Sequence, residues 1–339
     1  GSHEQSRPAT VATTTTDTDG EFSQTSLALG RHSLTYSKSG YFDENQSSLL
    51  DTDGQTNELG TVRMLPDNCT AGTMSGTITD AVTGDNMSNV SLSIRKGVFE
   101  NLSPTDTQGF ITIEDAGGST DSNGTWSLNA LQGWYTIRGA KSGYYTNHFN
   151  VYSCGNQADQ NNSMSELLNE GEMRIMLSWP KTNPQTATDL DAHLYIPIID
   201  IDASRNSDCD GGADKNDKCH LYYRTQQVAD NATNVTGVST RDYHEYTDIV
   251  SSGDFVTLDH DRNVDSGAPP GDETMTITKV RSGTYSYSVH NNTDRDNSTD
   301  NYKTNFPRSR AKVKVWYNDE GNVVKKRFYA PNINGTLWR

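Results

Sequence analysis

Long apolar runs are missing from this sequence of 339 residues. No stretch of about 18 apolar residues occurs, so we predict no helix that spans a membrane and no direct membrane insertion. Only 32% of the residues are hydrophobic, which predicts a core divided among thin sandwiches. No signal peptide is evident, and Gly1-Ser2-His3 is typical of a cleaved affinity tag. We therefore expect residues 1–3 to be a tag remnant and the natural protein to continue beyond both ends.

Positive charge is also scarce. The chain has 28 Lys and Arg residues against 44 Asp and Glu residues, for a net charge of −16. A surface of this charge repels nucleic acid and anionic lipid, so neither is a predicted partner. The same surface attracts cations, especially where aspartates cluster.

Motifs of catalysis are absent as well. The sequence has no G-x-S-x-G element, no P-loop and no G-x-G-x-x-G fingerprint. Its C-terminal half contains His193, His220, His244, His260 and His290. None of them forms an H-x-H or H-E-x-x-H motif, so we interpret them as hydrogen-bonded strand residues rather than zinc ligands. We predict no catalytic residue and a non-enzymatic protein.

The four cysteines are Cys69, Cys154, Cys209 and Cys219. Because no C-x-x-C pair occurs, zinc and thioredoxin chemistry are not indicated. The first two flank a compact unit and the last two close a short polar loop. Cys69–Cys154 and Cys209–Cys219 disulfides are therefore the simplest of the three possible pairings. Such bonds indicate an oxidising, extracellular or cell-surface location.

Thr, Ser, Asn, Asp, Gly and Tyr dominate the composition, which favours short strands and many turns. We predict an all-β fold of tandem β-sandwich domains. The predicted boundaries are residues 4–66, 67–170 and 171–339, and the last domain is a larger sandwich or jelly roll.

An internal repeat underlies these boundaries. Asp17-Thr18-Asp19-Gly20 recurs as Asp121-Ser122-Asn123-Gly124, and Lys38-Ser39-Gly40-Tyr41 recurs as Lys141-Ser142-Gly143-Tyr144. Asp-x-Asp/Asn-Gly forms tight turns, with glycine at the positive φ position. Each turn offers too few carboxylates for the six to eight oxygens of a calcium ion, so we interpret these aspartates as turn residues.

The second copy of the repeat predicts a complete sandwich. Its inward residues are expected to be Ile78, Leu92, Ile94, Trp126, Leu128 and Tyr135. Trp134 and Ile137 cannot share one face of a regular strand, so we expect a bulge or a twist between them.

The pattern from Gly76-Thr77-Ile78-Thr79-Asp80-Ala81 to Lys141-Ser142-Gly143-Tyr144 resembles a carboxypeptidase regulatory-like domain, a transthyretin-type β-sandwich. The resemblance covers residues 72–153, and residues 5–66 resemble only its second half. It implies a spacer or adhesion-associated module without an active site. Residues 172–339 resemble an uncharacterised family of secreted bacterial β-domains, which implies no particular activity.

Two acidic groups are candidate calcium sites. The loop from Asp208 to Cys219 resembles the calcium loops of thrombospondin type 3 repeats, with carboxylates at Asp208, Asp210, Asp214 and Asp217. The second group consists of Asp189, Asp191, Asp259, Asp261 and Glu273. Within it, the two aspartate pairs are expected to share a strand face. Calcium is thus the predicted cofactor, and turn capping is the alternative explanation of these aspartates.

Composition and motifs favour a structural or adhesive surface module that is stabilised by calcium. An alternative is a carbohydrate- or peptide-binding domain, with an extracellular glycan or protein ligand as its partner and a groove lined by Tyr222, Tyr223, Tyr243 or Tyr246. A secreted hydrolase is the second alternative, because paired carboxylates can cleave glycosides.

Overall fold

The structure is a computed structural model that describes residues 10–18, 20–57, 59, 62–99, 102–103, 105–113, 118–179, 189–197, 218–222, 227–229, 243–245, 255–261, 271–280, 282–292, 309–331 and 335–339. The fold is all-β, as predicted, and the described residues form twenty strands and no helix. The described part of the chain accordingly contains no apolar helix of membrane-spanning length.

The chain begins with a hairpin of β1 (Gly30–Tyr36) and β2 (Glu44–Leu50). In this hairpin Gly30 pairs with Leu50, and 103 positions later Gly133 pairs with Ser153 in the same antiparallel register. The φ angles of the two glycines are +134° and +137°, a region that only glycine adopts readily. The internal repeat is therefore a repeat of hairpin geometry.

The turns of the two copies also match. The amide of Tyr41 donates to the carbonyl of Lys38 at 3.1 Å, and that of Tyr144 donates to Lys141 at 3.2 Å. In the second copy, Asp121 Oδ1 accepts hydrogen bonds from the amides of Asn123 and Thr125. Its carboxylate thus stabilises its own turn.

The first sandwich consists of a three-stranded and a four-stranded sheet, ordered β6-β3-β9 and β5-β4-β7-β8. Its strands are β3 (Gly72–Asp80), β4 (Ser91–Lys96), β5 (Ile111–Thr112), β6 (Thr125–Ala130), β7 (Gly133–Ala140), β8 (Asn147–Ser153) and β9 (Asn162–Met164). The pair β3–β9 is parallel, and the other pairs are antiparallel.

The apolar faces of these two sheets enclose one core. Alternation along each strand directs the predicted set inward, and Ile78, Leu92, Ile94 and Trp126 are buried there. Leu128 and Tyr135 are partly buried and pack against the same cluster. The predicted faces of these strands are therefore confirmed.

The predicted bulge between Trp134 and Ile137 is wrong. Strand β7 pairs in unbroken register with both β4 and β8. Ile137 lies in the main core, whereas Trp134 lies on the opposite face of the sheet with Tyr152 and Leu65. The residues need not share a face, because the segment that precedes β3 covers the outer side of this sheet.

The second sandwich pairs a seven-stranded sheet, β14-β13-β15-β16-β10-β18-β19, with a four-stranded sheet, β12-β11-β17-β20. Its strands are β10 (Met173–Trp179), β11 (Leu190–Pro197), β12 (Lys218–Leu221), β13 (Gln227–Ala229), β14 (Tyr243–Glu245), β15 (Phe255–His260), β16 (Gly271–Ile277), β17 (Ser286–Asn291), β18 (Lys312–Asp319), β19 (Asn322–Tyr329) and β20 (Leu337–Trp338).

The core of the second sandwich is built by alternate residues of its central strands, including Ile175, Leu177 and Trp179 of β10. The intervening residue Met176 is 1% exposed, because the outer face of β10 packs on the first sandwich. The seven-stranded sheet is therefore covered on both faces near β10.

Candidate metal centre

Three potential metal ligands converge on the outer face of the four-stranded sheet. Asp191 and His193 are two residues apart on β11, so their side chains leave the same face. His290 lies directly opposite Asp191 on β17. One ligand atom from each of the three side chains lies within 4.8 Å of the other two. The register of two strands thus brings together residues that are far apart in sequence.

The rings of His220, Tyr195 and Tyr222 lie beside this cluster and hold His193 in place. His193 Nδ1 and His220 Nε2 are joined by a hydrogen bond of 2.7 Å. His220 lies between Tyr195 and Tyr222, with ring centroids 4.3 Å away on each side and nearly parallel planes. The orientation of His220, and through it that of His193, is therefore set by packing.

Burial determines the charge of these imidazoles. Burial first, and then the neighbouring His220 and His290, lower the pKa of His193 to about 4. Burial alone accounts for the pKa of about 4 at His220. Both rings are accordingly neutral at pH 7, which is the form that coordinates a metal.

A buried carboxyl group lies behind the cluster, between the two sheets. Glu273 on β16 is 1% exposed, and its Oε2 accepts a hydrogen bond of 2.6 Å from the amide of Ala192 on β11. Burial raises the pKa of Glu273 well above its usual value, and the charges of Asp261 and Asp191 raise it further. The structure therefore brings three of the predicted acidic residues near one another.

Asp259 and Asp261 do not lie on one face of their strand, because β15 contains a bulge. The register with β16 shifts between Leu258 and His260, so Asp259 and Asp261 are directed to opposite faces. The expectation that they share a face is wrong. Asp259 instead accepts hydrogen bonds from Thr257 and Thr276, on the side that faces the first sandwich.

The other predicted site residues lie either elsewhere in the described part of the chain or outside the described residues. Asp189 accepts a hydrogen bond of 2.8 Å from Asn292, outside the cluster of Asp191, His193 and His290. Cys69 and Cys154 form the predicted disulfide. Cys219 and Tyr243 lie on β12 and β14. Outside the described residues lie Asp208, Asp210, Asp214, Asp217, Cys209, Tyr223 and Tyr246.

The histidine ligands are not evident from the sequence, because none of them belongs to an H-x-H or H-E-x-x-H motif. Asp191-Ala192-His193 was the available signal, since residues i and i+2 of a strand share a face. The third ligand, His290, is supplied by β17, and only the strand register reveals it.

The chain matches no protein-family model and no curated protein. Among solved structures it is similar to the full-length major pilin SpaD from Corynebacterium diphtheriae, with 16% identity, a TM-score of 0.22, and coverage of 76% of this chain and 64% of the pilin. It is also similar to the major pilin subunit BcpA of Bacillus cereus, with 12% identity, a TM-score of 0.21, and coverage of 76% and 67%.

A DUF3823 family protein from Parabacteroides merdae is similar as well, with 11% identity, a TM-score of 0.20, and coverage of 45% of this chain and 80% of that protein. The chain thus spans less than two thirds of the length of SpaD. At these TM-scores the likenesses carry no role over to this protein.

Proposed function

We propose that the chain is a non-enzymatic extracellular surface module with a structural or adhesive role. The observation that carries the proposal is the buried interface between the two sandwiches, the joint, which is centred on Ala81, Leu168, Met176 and Trp316. The disulfide, the acidic surface and the resemblance of residues 72–153 to carboxypeptidase regulatory-like domains also support it.

The joint has an apolar centre. Ala81 and Leu168 pack with Met176 of β10 and Trp316 of β18, and all four are buried. The rings of Tyr145 and Trp316 stack with centroids 5.8 Å apart and planes inclined by 14°. Burying two large aromatic rings stabilises the contact and excludes water from it.

Polar groups surround that centre and are paired across it. The guanidinium group of Arg174, itself buried, donates to Ser165 Oγ at 3.0 Å and to the carbonyl of Glu166 at 3.2 Å. The ammonium group of Lys314, 2% exposed, donates to the amide oxygen of Asn147. These hydrogen bonds form only when the two sandwiches keep this orientation, so the joint favours one relative arrangement.

Calorimetry tests the joint. The wild-type chain should unfold in a single transition, because each sandwich is stabilised by the other. Trp316→Ala removes the central ring, costs about 3–5 kcal/mol, and should split the transition in two. Phe328→Ala is the control, because Phe328 is 51% exposed on neighbouring β19. Two transitions in the wild-type chain would contradict a fixed joint.

Location is tested separately, by labelling cells of the natural host. Antibodies against the chain should label intact cells, and protease treatment of those cells should remove the label. Labelling that requires permeabilised cells would exclude a surface module.

Calcium stabilisation is part of the same proposal. Glu273 Oε1 has no hydrogen-bond partner among the described residues, and the charges of Asp191 and Asp261 act on this buried carboxyl group. A calcium ion shared by Glu273 and Asp261 would stabilise their ionised forms. Millimolar calcium should then raise the Tm and a chelator should lower it, and Glu273→Gln should remove the difference. If Asp210→Asn with Asp214→Asn removes it instead, the loop of Asp208 to Cys219 binds the ion.

A glycan- or peptide-binding domain is the alternative, and the ring stack of Tyr195, His220 and Tyr222 favours it. Sugars bind to aromatic rings, but here the rings cover one another, which leaves less ring surface for a ligand. A glycan array probed with the wild-type chain and with Tyr222→Ala separates the two roles. Loss of a binding signal in the variant alone supports ligand recognition.

A further inference from the structure

We propose that Asp191, His193 and His290 bind one divalent transition-metal cation, for which zinc is the best-suited ion. His220 acts as a positioning residue that holds His193 for this purpose. These residues lie on the outer face of the four-stranded sheet, and binding of the cation there does not depend on the proposed surface role.

The backbone itself places the ligands. Asp191 and His290 are direct cross-strand partners, and His193 follows Asp191 on the same face. Zinc lies about 2.0–2.2 Å from nitrogen and oxygen ligands, so its ligands lie within roughly 4 Å of one another. The ligand atoms here lie within 4.8 Å of one another, so small side-chain rotations complete the site.

The hydrogen bonding of His193 points to a missing partner. Its Nδ1 is engaged with His220 Nε2, while its Nε2 is buried without a hydrogen-bond partner among the described residues. If Nδ1 carries the proton, Nε2 presents a lone pair that a cation can accept. Metal-binding histidines usually donate their second N–H to a fixed acceptor, which is the role of His220 here.

The ligand set selects the class of cation. Calcium takes six to eight oxygen ligands, whereas zinc readily accepts imidazole nitrogen together with carboxylate oxygen. Three protein ligands leave the fourth tetrahedral position for water or for a ligand from outside the chain. The bound ion would therefore keep one coordination position open.

Titration of the metal-stripped chain with zinc tests the proposal. Calorimetry should give one zinc ion per chain, and cobalt should give the visible absorption of a tetrahedral centre. His193→Gln and His290→Gln should each weaken zinc binding by about 100-fold or more. His32→Gln, on β1 and outside the cluster, should bind as the wild type does.

Further variants at His193 and His220 distinguish the loss of a metal ligand from a change in packing. His193→Cys supplies a thiolate ligand and should retain zinc binding, whereas His193→Ser, of nearly the same size, should not. His220→Phe keeps the ring stack but loses the hydrogen bond, and should weaken binding by about 10–100-fold. Glu273→Gln should remove the calcium effect and leave zinc binding intact.

Absence of stoichiometric zinc binding would overturn the proposal. So would equal affinities of His193→Gln, His290→Gln and the wild type, or equal losses in His32→Gln and His193→Gln. A failure of calcium to raise the Tm leaves zinc binding unaffected, so the two metal proposals fail independently.

Discussion

At the scale of single residues, Trp126 shows how strongly one side chain supports the first sandwich. The indole is 2% exposed and packs near Phe149, with ring centroids 6.4 Å apart. Trp126→Ala should lower the free energy of unfolding by about 3–5 kcal/mol, because it leaves a cavity in the core. Urea denaturation measures this loss. A loss below about 1 kcal/mol would mean that the ring is not buried as described.

His148 should make stability depend on pH. The ring is 5% exposed, and neither nitrogen has a hydrogen-bond partner among the described residues. Burial, together with the charges of nearby cations, lowers its pKa from 6.5 to about 4. These cations, from three strands, are Arg138, Lys314, Lys325 and Arg327.

The sign of this effect follows from proton binding. Between pH 6.5 and about 4 the unfolded chain binds a proton at His148 that the folded chain does not. The contribution of His148 to the free energy of unfolding is therefore fully present above pH 6.5. It declines as the pH decreases, by at most about 3 kcal/mol. His148→Leu should flatten the dependence in this window, and His32→Gln should not. Urea midpoints from pH 4 to 7 measure the difference.

At the scale of elements, the contact between β10 and β16 depends on a glycine. Gly271 is the cross-strand partner of Trp179, and a Cβ at Gly271 would overlap the indole ring. Gly271→Ala should therefore cost about 1–3 kcal/mol through overpacking. Gly335→Ala is the control, because a Cβ there has open space. Equal Tm values for the two variants would argue against this packing.

Individual strands could be predicted from the sequence, but their partners could not. Period-2 alternation is evident in the sequence of β10, Met173–Trp179, and is typical of a strand. Alternation does not specify that β10 lies between β16 and β18, which follow it by roughly a hundred residues or more along the chain. The bulge of β15 could not be predicted from alternation either. One inserted residue reverses the faces of the residues that follow it in the strand.

The ligands of the candidate metal centre could not all be predicted, because strand pairing is not evident from the sequence. Asp191 was predicted as a ligand from its local pattern, but its companions His193 and His290 depend on pairing between distant strands. Cys69 and Cys154 could be paired correctly because they flank one compact unit. Local patterns thus predicted residue types and turns, and non-local pairing determined the site.

At the scale of the whole molecule, the disulfide should limit how far the chain can be extended. Cys69 and Cys154 are separated by 85 residues and enclose the strands β3 to β8. In the chain-entropy model, closing a loop of this length stabilises the fold by about 4.5 kcal/mol. It also shields the enclosed strands from tension applied at the termini, because force passes through the covalent bond.

Single-molecule pulling from both termini should reveal this shielding. The enclosed segment would add about 300 Å to the extended chain at roughly 3.5 Å per residue. The oxidised wild type should therefore reach a contour length shorter by that amount than Cys69→Ser with Cys154→Ser. This double variant keeps Cys209 and Cys219, so the comparison isolates one bond. Equal contour lengths under oxidising conditions would show that Cys69 and Cys154 are not linked, and the shielding of the enclosed strands would lose its covalent basis.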